Sequence, residues 1–238
     1  HLSVFVTTNA INSFAYETLV YLGDDGEMTP GLAESWEETP TSVTYTLKEG
    51  VTCADGSELT ASVVAENFSF VADPANQSPL LGAQVPPGIT VEADDAARTV
   101  TLTSEQPVPF LLQSTGAGFF IVCPHGLADR SILESGSDGT GPFVLEEAVP
   151  GDHYTFRARD DYSWGPDGPT SEVPGFPSEV VVRYVENEST AANLLLSGEV
   201  NIASANPMIF TLLNILVHSG SQADLRAVQF AATRTDCQ

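Results

Sequence analysis

The sequence offers few residue groups with the spacing that catalysis requires. Gly136-Ser137-Asp138-Gly139 lacks the Gly-x-Ser-x-Gly order of a nucleophile elbow. Asp138-Gly139-Thr140-Gly141 is superficially similar to the Asp-Thr-Gly of aspartic proteases, but Gly139 interrupts it and no second copy occurs. The His-Glu-x-x-His pattern, the P-loop and the EF-hand loop are all missing. We therefore predict no catalytic residues.

Residue groups that could hold a metal or a cofactor are also scarce. The cysteines form no Cys-x-x-Cys pair and the histidines are scattered, so a zinc module is not indicated. Gly116-Ala117-Gly118 lacks the third glycine of a dinucleotide-binding loop and is interpreted as a bend. Adjacent acidic residues stand in predicted turns, where solvated side chains are the simpler interpretation: Asp24-Asp25, Asp94-Asp95 and Asp160-Asp161. We predict neither a metal site nor a cofactor.

The three cysteines leave two interpretations open. In an exported protein Cys53 could pair with Cys123 and leave Cys237 over, because oxidising compartments favour disulfides. The alternative is that these residues are buried free thiols. The choice between the two depends on whether the protein is exported.

Composition excludes several classes of partner. The chain has 238 residues, with 32 Asp and Glu against 8 Lys and Arg, which gives a net charge of −24. Nucleic acids and anionic lipid surfaces would repel so acidic a protein, so we expect neither as a partner. The longest apolar run, Pro207–Val217, is shorter than the roughly 20 residues of a membrane-spanning helix. The composition suits either a soluble protein that works outside the cytoplasm or one that meets cationic partners, and the charge alone does not choose between them.

Residue periodicity predicts a mixed α and β chain. We expect strands at Leu2–Thr7, Ala33–Glu38, Val43–Lys48, Ile89–Ala93, Thr99–Thr103, Phe119–Val122, Phe143–Ala148, Tyr154–Arg159, Val180–Val185 and Asn201–Ala203. We expect helices at Phe14–Leu22, at Ala61–Val71 with Thr60 as its cap, at Val108–Leu112, and from a cap at Ser189 or Thr190 to Leu196. Proline-rich Asp73–Gly88 predicts a surface loop, and Gly165–Pro177 a linker.

Four sequence blocks follow one another in a recognisable order over residues 14–203. The first joins Tyr16-Glu17-Thr18-Leu19-Val20 to Pro30-Gly31-Leu32-Ala33-Glu34-Ser35-Trp36. The second joins Thr44-Tyr45-Thr46-Leu47-Lys48-Glu49-Gly50-Val51 to Asp55-Gly56-Ser57-Glu58-Leu59-Thr60-Ala61. The third is Gly139-Thr140-Gly141-Pro142-Phe143, followed by Tyr162-Ser163-Trp164-Gly165, and the fourth is Leu196-Ser197-Gly198-Glu199-Val200. Together they resemble the family 5 extracellular solute-binding proteins of ABC importers, which include oligopeptide-, dipeptide- and nickel-binding proteins.

The resemblance implies a periplasmic-binding-protein-like fold of class II, mixed α/β and two-lobed, here with an apparently incomplete second lobe. Residues 1–203 would form the first lobe, with a β-rich subdomain inserted at about 24–175. Residues 204–238 would be the start or remnant of the second lobe. Family members are about twice as long as this chain, and the aspartate that often fixes a peptide amino terminus lies in their second lobe.

The resemblance also implies where a ligand would bind. The segments Asn9–Phe14 and Thr115–Phe120 would line the cleft between the lobes. Asn12 would hydrogen-bond a peptide backbone and the phenylalanines would form apolar walls, although loop capping by Asn12 and ordinary core packing by the phenylalanines are equally open. The candidate ligand-binding residues are Asn12, Phe14, Thr115, Gly118, Phe119 and Phe120.

The function that the resemblance implies is capture of short peptides, nickel chelates or similar small solutes for a membrane permease. We expect an extracellular or periplasmic monomer, anchored through a lipid on an N-terminal cysteine absent from this chain. One alternative is a solute receptor or interaction module on the same scaffold. A weaker alternative is an extracellular hydrolase.

Overall fold

The computed structural model describes residues 10–165 and 174–203. The chain forms two compact units that divide between Val182 and Arg183. Three sheets belong to the first unit, although the last strand ends one residue beyond the division. A single described helix belongs to the second unit.

Nine strands and three α-helices lie wholly within the described residues, and residues 10–12 are also helical. The strands are β1 Val20–Leu22, β2 Met28–Pro30, β3 Ala33–Thr39, β4 Ser42–Leu47, β5 Thr90–Asp94, β6 Thr99–Thr103, β7 Phe143–Val149, β8 His153–Ala158 and β9 Glu179–Arg183. The helices are α1 Ala61–Ala72, α2 Pro124–Ala128 and α3 Glu188–Ser197. Shorter helical turns occur at Pro74–Asn76, Gln113–Ala117 and Arg130–Glu134. The sheets have the strand orders β1-β2, β3-β4-β6-β5 and β7-β8-β9.

The four-stranded sheet and α1 form the larger core. Strand β4 alternates, so that Val43, Tyr45 and Leu47 face inward and are buried. Residues Val64 and Phe68 of α1 share the buried face that their spacing predicts. Burial of this apolar surface stabilises the sheet at about 25 cal/mol per Å² removed from water.

The three-stranded sheet has a separate, aromatic core. Phe143 on β7 and Phe156 on β8 are buried together with Tyr16, which lies in the N-terminal segment, residues 10–19. Phe14 packs against both phenylalanines, with ring centroids 5.7 and 5.3 Å away. The N-terminal segment is therefore part of this core.

Locally determined elements agree with the sequence. The β3–β4, β5–β6 and β7–β8 hairpins are confirmed to within one or two residues, as is β9. Helix α1 begins where Thr60 predicts, because the Thr60 hydroxyl accepts a hydrogen bond from the Val63 N–H. The residues that specify each of these elements lie close together in the sequence.

The predicted helix at Phe14–Leu22 is wrong. Residues 13–15 form a turn, Thr18 forms a bridge, and β1 begins at Val20, because backbone groups of residues 14–17 bond to distant segments. Gly141 N–H donates to Ala15 O, and Ile121 N–H donates to Glu17 O, each at 3.0 Å. Tertiary pairing has overridden the helical spacing of the apolar residues.

Two neighbouring predictions also need correction. Phe119–Val122 forms no strand beyond a single bridge between Phe120 and Thr18. The helical turn predicted at Val108–Leu112 instead begins at Leu111 and continues as a π-helix to Ala117. Phe110 accounts for the late start, because its φ of 59° is in the left-handed region and cannot belong to a right-handed helix.

Three predictions differ from the structure in their detail. Asn187, and neither Ser189 nor Thr190, caps α3 through its side chain. Asn201–Ala203 is not a strand. The loop at Asp73–Gly88 contains a short 3-10 turn and also two residues that the core buries, Leu80 and Val85.

Other predictions lie wholly or mostly outside the described residues. These are the strand at Leu2–Thr7, the greater part of the linker at Gly165–Pro177, and everything from residue 204 onward. Within the part of the chain that is described, no helix is long and apolar enough to cross a membrane. The same part contains no group of three or more His, Cys, Asp or Glu residues arranged to hold a metal ion.

Candidate functional site

The chain that follows the first predicted ligand-contact segment is bonded to the end of the second. The N-terminal segment runs between two loops, bonded to Ile121 on one side and to Gly141 and Phe143 on the other. The bridge between Thr18 and Phe120 adds to the first contact. One backbone ladder thus joins residues 14–18 to residues 120–121 and 141–143.

Glycines are required where this ladder is closest. A Cβ atom on Gly141 would lie 2.5 Å from the Ala15 carbonyl carbon, and one on Gly139 would lie 2.3 Å from the Ala15 oxygen. Both contacts are with backbone, which cannot rotate away. The Gly-Thr-Gly-Pro block therefore serves close approach of two chain segments, and the resemblance of Asp138–Gly141 to a protease motif has a structural explanation.

Glu17 is buried at the centre of the N-terminal segment, with 3% of its surface exposed. Its carboxylate accepts hydrogen bonds from Tyr162 Oη at 2.7 Å, Trp164 Nε1 at 2.9 Å and Tyr21 Oη at 3.1 Å. Burial raises the pKa of Glu17, and the hydrogen bonds oppose that rise. Glu17 thus connects the segment to residues about 145 positions later in the chain.

Lys48 lies beside this carboxylate network. Its ammonium group donates to the Trp164 carbonyl at 2.8 Å. Burial lowers the pKa of Lys48, while the negative charges of Glu17 and Glu34 act in the opposite direction. Lys48, which belongs to the second sequence block, is thereby hydrogen-bonded to Trp164, which follows the third block.

Asp138 ties a second loop to the N-terminal segment. Its backbone N–H donates to Tyr16 Oη at 3.3 Å, and its carboxylate accepts from the Gly126 N–H in α2 at 2.6 Å. Burial raises the pKa of Asp138, and the hydrogen bond from Gly126 opposes the rise. This residue has a structural role in the first turn of α2.

Arg159 links the aromatic sheet to the turn that contains Cys53. Its buried guanidinium donates to the carbonyls of Thr52 and Cys53 at 3.0 and 2.9 Å. It also donates to both carboxylate oxygens of Asp161, at 3.0 and 2.8 Å, which lowers the pKa of Asp161. A disulfide joins Cys53 to Cys123, whose Cα atoms are 6.0 Å apart.

Sequence reasoning did not single out Glu17 or Arg159. The role of Glu17 could have been inferred from its place in the Tyr-Glu block, beside an otherwise apolar stretch. A carboxylate that is buried in such a place requires hydrogen-bond donors nearby. For Arg159 the signal was the scarcity of cations in a chain with only 8. A rare arginine inside a strand pattern is a candidate for buried pairing.

Four of the candidate ligand-binding residues keep surface that a ligand could contact. Asn12, Phe14, Gly118 and Phe120 are all partly exposed. The Nδ2 atom of Asn12 is buried and has no hydrogen-bond partner among the described residues. The backbone of Gly118 lies against the Gln84 amide, which a Cβ atom would meet at 2.0 Å.

The other two candidates are fully buried. Phe119 stacks on Phe68 with ring centroids 4.6 Å apart. The Thr115 hydroxyl is 2.6 Å from Leu111 O, to which it donates, and 2.8 Å from Tyr45 Oη. In this structure both side chains pack beneath the surface and support the segment from within.

The chain is similar to several proteins of known class. The model of the bacterial extracellular solute-binding proteins, family 5 Middle, matches residues 27–222. The probable D,D-dipeptide-binding periplasmic protein DdpA of Escherichia coli (strain K12) is 29% identical over 209 residues, which cover 82% of this chain and 38% of that protein. The chain therefore spans about two fifths of the length of the curated relatives it matches.

Solved structures of substrate-binding proteins are also similar to this chain. A substrate-binding protein from Microbacterium hydrocarbonoxydans, complexed with 4-hydroxybenzoate hydrazide, is 36% identical with a TM-score of 0.69, covering 84% of this chain and 42% of that one. The ABC transporter substrate-binding protein CtaP from Listeria monocytogenes is 26% identical with a TM-score of 0.76, covering 90% and 43%. The shared fold is the mixed α/β fold of class II periplasmic binding proteins. This chain belongs to the bacterial extracellular solute-binding proteins, family 5.

Proposed function

We propose that this chain is part of the substrate-binding component of an ABC importer. It would capture short peptides or similar small solutes outside the cell and deliver them to permease subunits in the membrane. The family match over residues 27–222 carries the proposal. The relative named for D,D-dipeptides supports peptides as the first ligand class to test.

The site would bind a solute by contact and hinge closure, without chemical conversion. Asn12, Phe14, Gly118 and Phe120 would provide the contacts, with Thr115 and Phe119 supporting them from the core. The Nδ2 of Asn12 has no hydrogen-bond partner among the described residues, which favours a ligand with a carbonyl or carboxylate oxygen, because a buried donor without an acceptor is costly. We expect no turnover of ester or peptide substrates.

A small aromatic acyl compound is the second candidate ligand. The solved structure that is 36% identical to this chain holds 4-hydroxybenzoate hydrazide. Such a ligand has both an aromatic ring, which could pack on Phe14 or Phe120, and a carbonyl, which could accept from Asn12. Both candidate classes thus share the chemistry that the site offers.

Native mass spectrometry of the purified protein tests the proposal. The native mass should exceed the denatured mass by one co-purified solute, or by one added molecule of alanyl-phenylalanine, of nickel–histidine or of 4-hydroxybenzoate hydrazide. Replacing Asn12 with Leu should weaken whichever probe binds, whereas the exposed Ser13→Ala should not. A protein that stays empty with every probe, and whose melting temperature does not move, would contradict the proposal.

The cellular setting is part of the same proposal. We expect an exported monomer, held at the membrane by a lipid anchor. Light scattering checks the monomer, and mass spectrometry of the protein extracted from its native membrane checks the lipid. Solute binding without any stimulation of a cognate permease would favour a solute receptor.

A further inference from the structure

Asn67 is a polar residue buried in the middle of helix α1, with 2% of its surface exposed. It begins the pattern Asn67-Phe68-Ser69, which in some secreted proteins marks a glycosylation site. A glycan needs an accessible asparagine, so burial excludes that modification in the folded protein. A buried carboxamide instead requires hydrogen-bond partners, because leaving it unpaired is costly.

The partners of Asn67 lie on two chain segments. Its Nδ2 atom donates to Val63 O, one turn earlier in α1, at 2.9 Å. Nδ2 also donates to Val122 O at 2.8 Å, and Oδ1 accepts from the Val122 N–H at 3.0 Å. Both backbone groups of Val122 are thus paired with one side chain. Residues of antiparallel strands exchange hydrogen bonds in this way, and here a carboxamide takes the place of one strand.

These bonds hold the chain that leaves the candidate ligand-contact segment. Ile121 and Val122 are fully buried, so water cannot replace the partners of their backbone groups. The Ile121 N–H donates to Glu17 O at 3.0 Å. Residues 120–122 are therefore fixed from two sides, by the N-terminal segment and by Asn67.

Helix α1 contacts the same segment a second time, through the residue that follows Asn67. Phe68 stacks on Phe119, with ring centroids 4.6 Å apart. Phe119 is completely buried, whereas Phe120 is partly exposed. Because neighbouring side chains of an extended chain face opposite sides, a slip of one residue would exchange these two phenylalanines. The bonds between Asn67 and Val122 oppose such a slip.

We propose that Asn67 is a positioning residue of the candidate binding site. It fixes the register of residues 119–122 against α1, so that Phe120 is presented to a solute and Phe119 remains in the core. Asn67 acts through the backbone of Val122 and does not itself contact the solute. This inference rests on the proposed solute-binding function, to which it adds a residue outside the cleft that controls affinity.

Asn67→Leu tests the proposal, because leucine has a similar shape and forms none of the hydrogen bonds. Val71→Ala is the matched control, since Val71 is buried one turn further along α1 and loses apolar contacts alone. Both variants should lower the melting temperature. Affinity is measured below that temperature with alanyl-phenylalanine, nickel–histidine or 4-hydroxybenzoate hydrazide, whichever the unmodified protein binds. Asn67→Leu should weaken that probe about tenfold, the effect of losing one well-placed contact, and Val71→Ala should leave it unchanged.

Amide hydrogen exchange of the ligand-free protein gives a readout that a general loss of stability does not reproduce. Asn67→Leu should accelerate exchange at residues 118–123 more than in the β3–β4 and β7–β8 hairpins, whereas Val71→Ala should not single out those residues. If the leucine variant does not fold, Asn67→Ser replaces it, because serine is too short to reach Val122. The serine variant should change affinity and exchange in the same direction.

Equal affinities for the Asn67 and Val71 variants, or exchange that is not concentrated at residues 118–123, would overturn the proposal. Should the unmodified protein bind none of the probes, the exchange measurement still decides whether Asn67 fixes the register. In that case only the solute-binding function is contradicted.

Discussion

At the scale of single residues, the chain uses its few buried charges to connect distant segments. Glu17 accepts hydrogen bonds from two tyrosines and a tryptophan. Arg159 donates hydrogen bonds to two carbonyls and a carboxylate. Removing one member of such a network takes a hydrogen bond away from the other buried groups, which costs more than the network contributes while intact. We therefore expect substitution of either residue to lower the stability of the protein, although neither is a candidate ligand-binding residue.

Glu17→Ala should lower the free energy of unfolding by about 3 kcal/mol, because the buried Trp164 Nε1 loses the carboxylate that accepts its hydrogen bond. Glu17→Gln should cost much less, because an amide can accept from the indole and donate to the tyrosine hydroxyls. Urea unfolding measures both, with the exposed Glu37→Ala as control. An alanine variant as stable as the control would show that the network contributes nothing.

The pH dependence of Glu17 has a definite sign. Its pKa is raised in the folded state, so between the unfolded and folded pKa values the folded protein binds more protons. Its contribution to stability is thus fully present below the unfolded pKa and is lost as pH rises through the folded pKa. The Glu17→Gln variant cannot titrate there, so we expect a flatter stability profile above about pH 4.5. Parallel profiles for the two proteins would contradict this expectation.

At the scale of elements, close backbone approach decides the shape of the candidate site. Gly141→Ala should destabilise the protein by at least about 2 kcal/mol, because its Cβ atom would collide with the backbone of Phe14 and Ala15. Gly151 is a matched control, since its Cβ atom would meet nothing within 4 Å and only its φ of 79° is unfavourable. Thermal unfolding should show that Gly151→Ala lowers the free energy of unfolding less than Gly141→Ala does, by about 1 kcal/mol.

The sequence predicts those elements whose determinants are local. Thr60 and the spacing of Val64 and Phe68 define α1, and strand alternation defines the hairpins. The Phe14–Leu22 segment could not be predicted, because residues 14–18 bond to residues 120–121 and 141–143, more than a hundred positions away. The same holds for the candidate site: the family resemblance indicated its segments, but only the packing distinguishes the partly exposed Phe120 from the buried Phe119.

At the scale of the whole molecule, the disulfide and the net charge act in opposite directions. The Cys53–Cys123 bond closes a loop of 70 residues and restricts the unfolded chain, whereas a charge of −24 destabilises the compact state by self-repulsion. Salt screens that repulsion. Both effects can be measured independently of any ligand.

Replacing both Cys53 and Cys123 with Ser should lower the free energy of unfolding by about 2–4 kcal/mol. Peptide mapping without reductant should recover the two residues in one linked species from the unmodified protein. Free thiols at both positions would contradict the disulfide.

Sodium chloride should raise the melting temperature steadily up to about 1 M, because the Debye length falls to about 3 Å. Differential scanning calorimetry measures the shift. Neutral sucrose at equal osmotic strength serves as the control for general solute effects. A melting temperature that is independent of salt would show that the surface charges are too far apart to repel.

The scarcity of cations also governs how proteases with trypsin-like specificity meet this chain. Such enzymes cut after Lys or Arg, and Lys48 is held through its ammonium group while the Arg159 side chain is buried. Between Cys53 and Cys123 the sequence contains one cleavage point, Arg98, which is itself paired with Glu34. A cut at Arg98 would leave its two fragments joined by the disulfide. Among the described residues, cleavage of the folded protein should therefore occur first after the exposed residues Arg157 and Arg183, outside this loop.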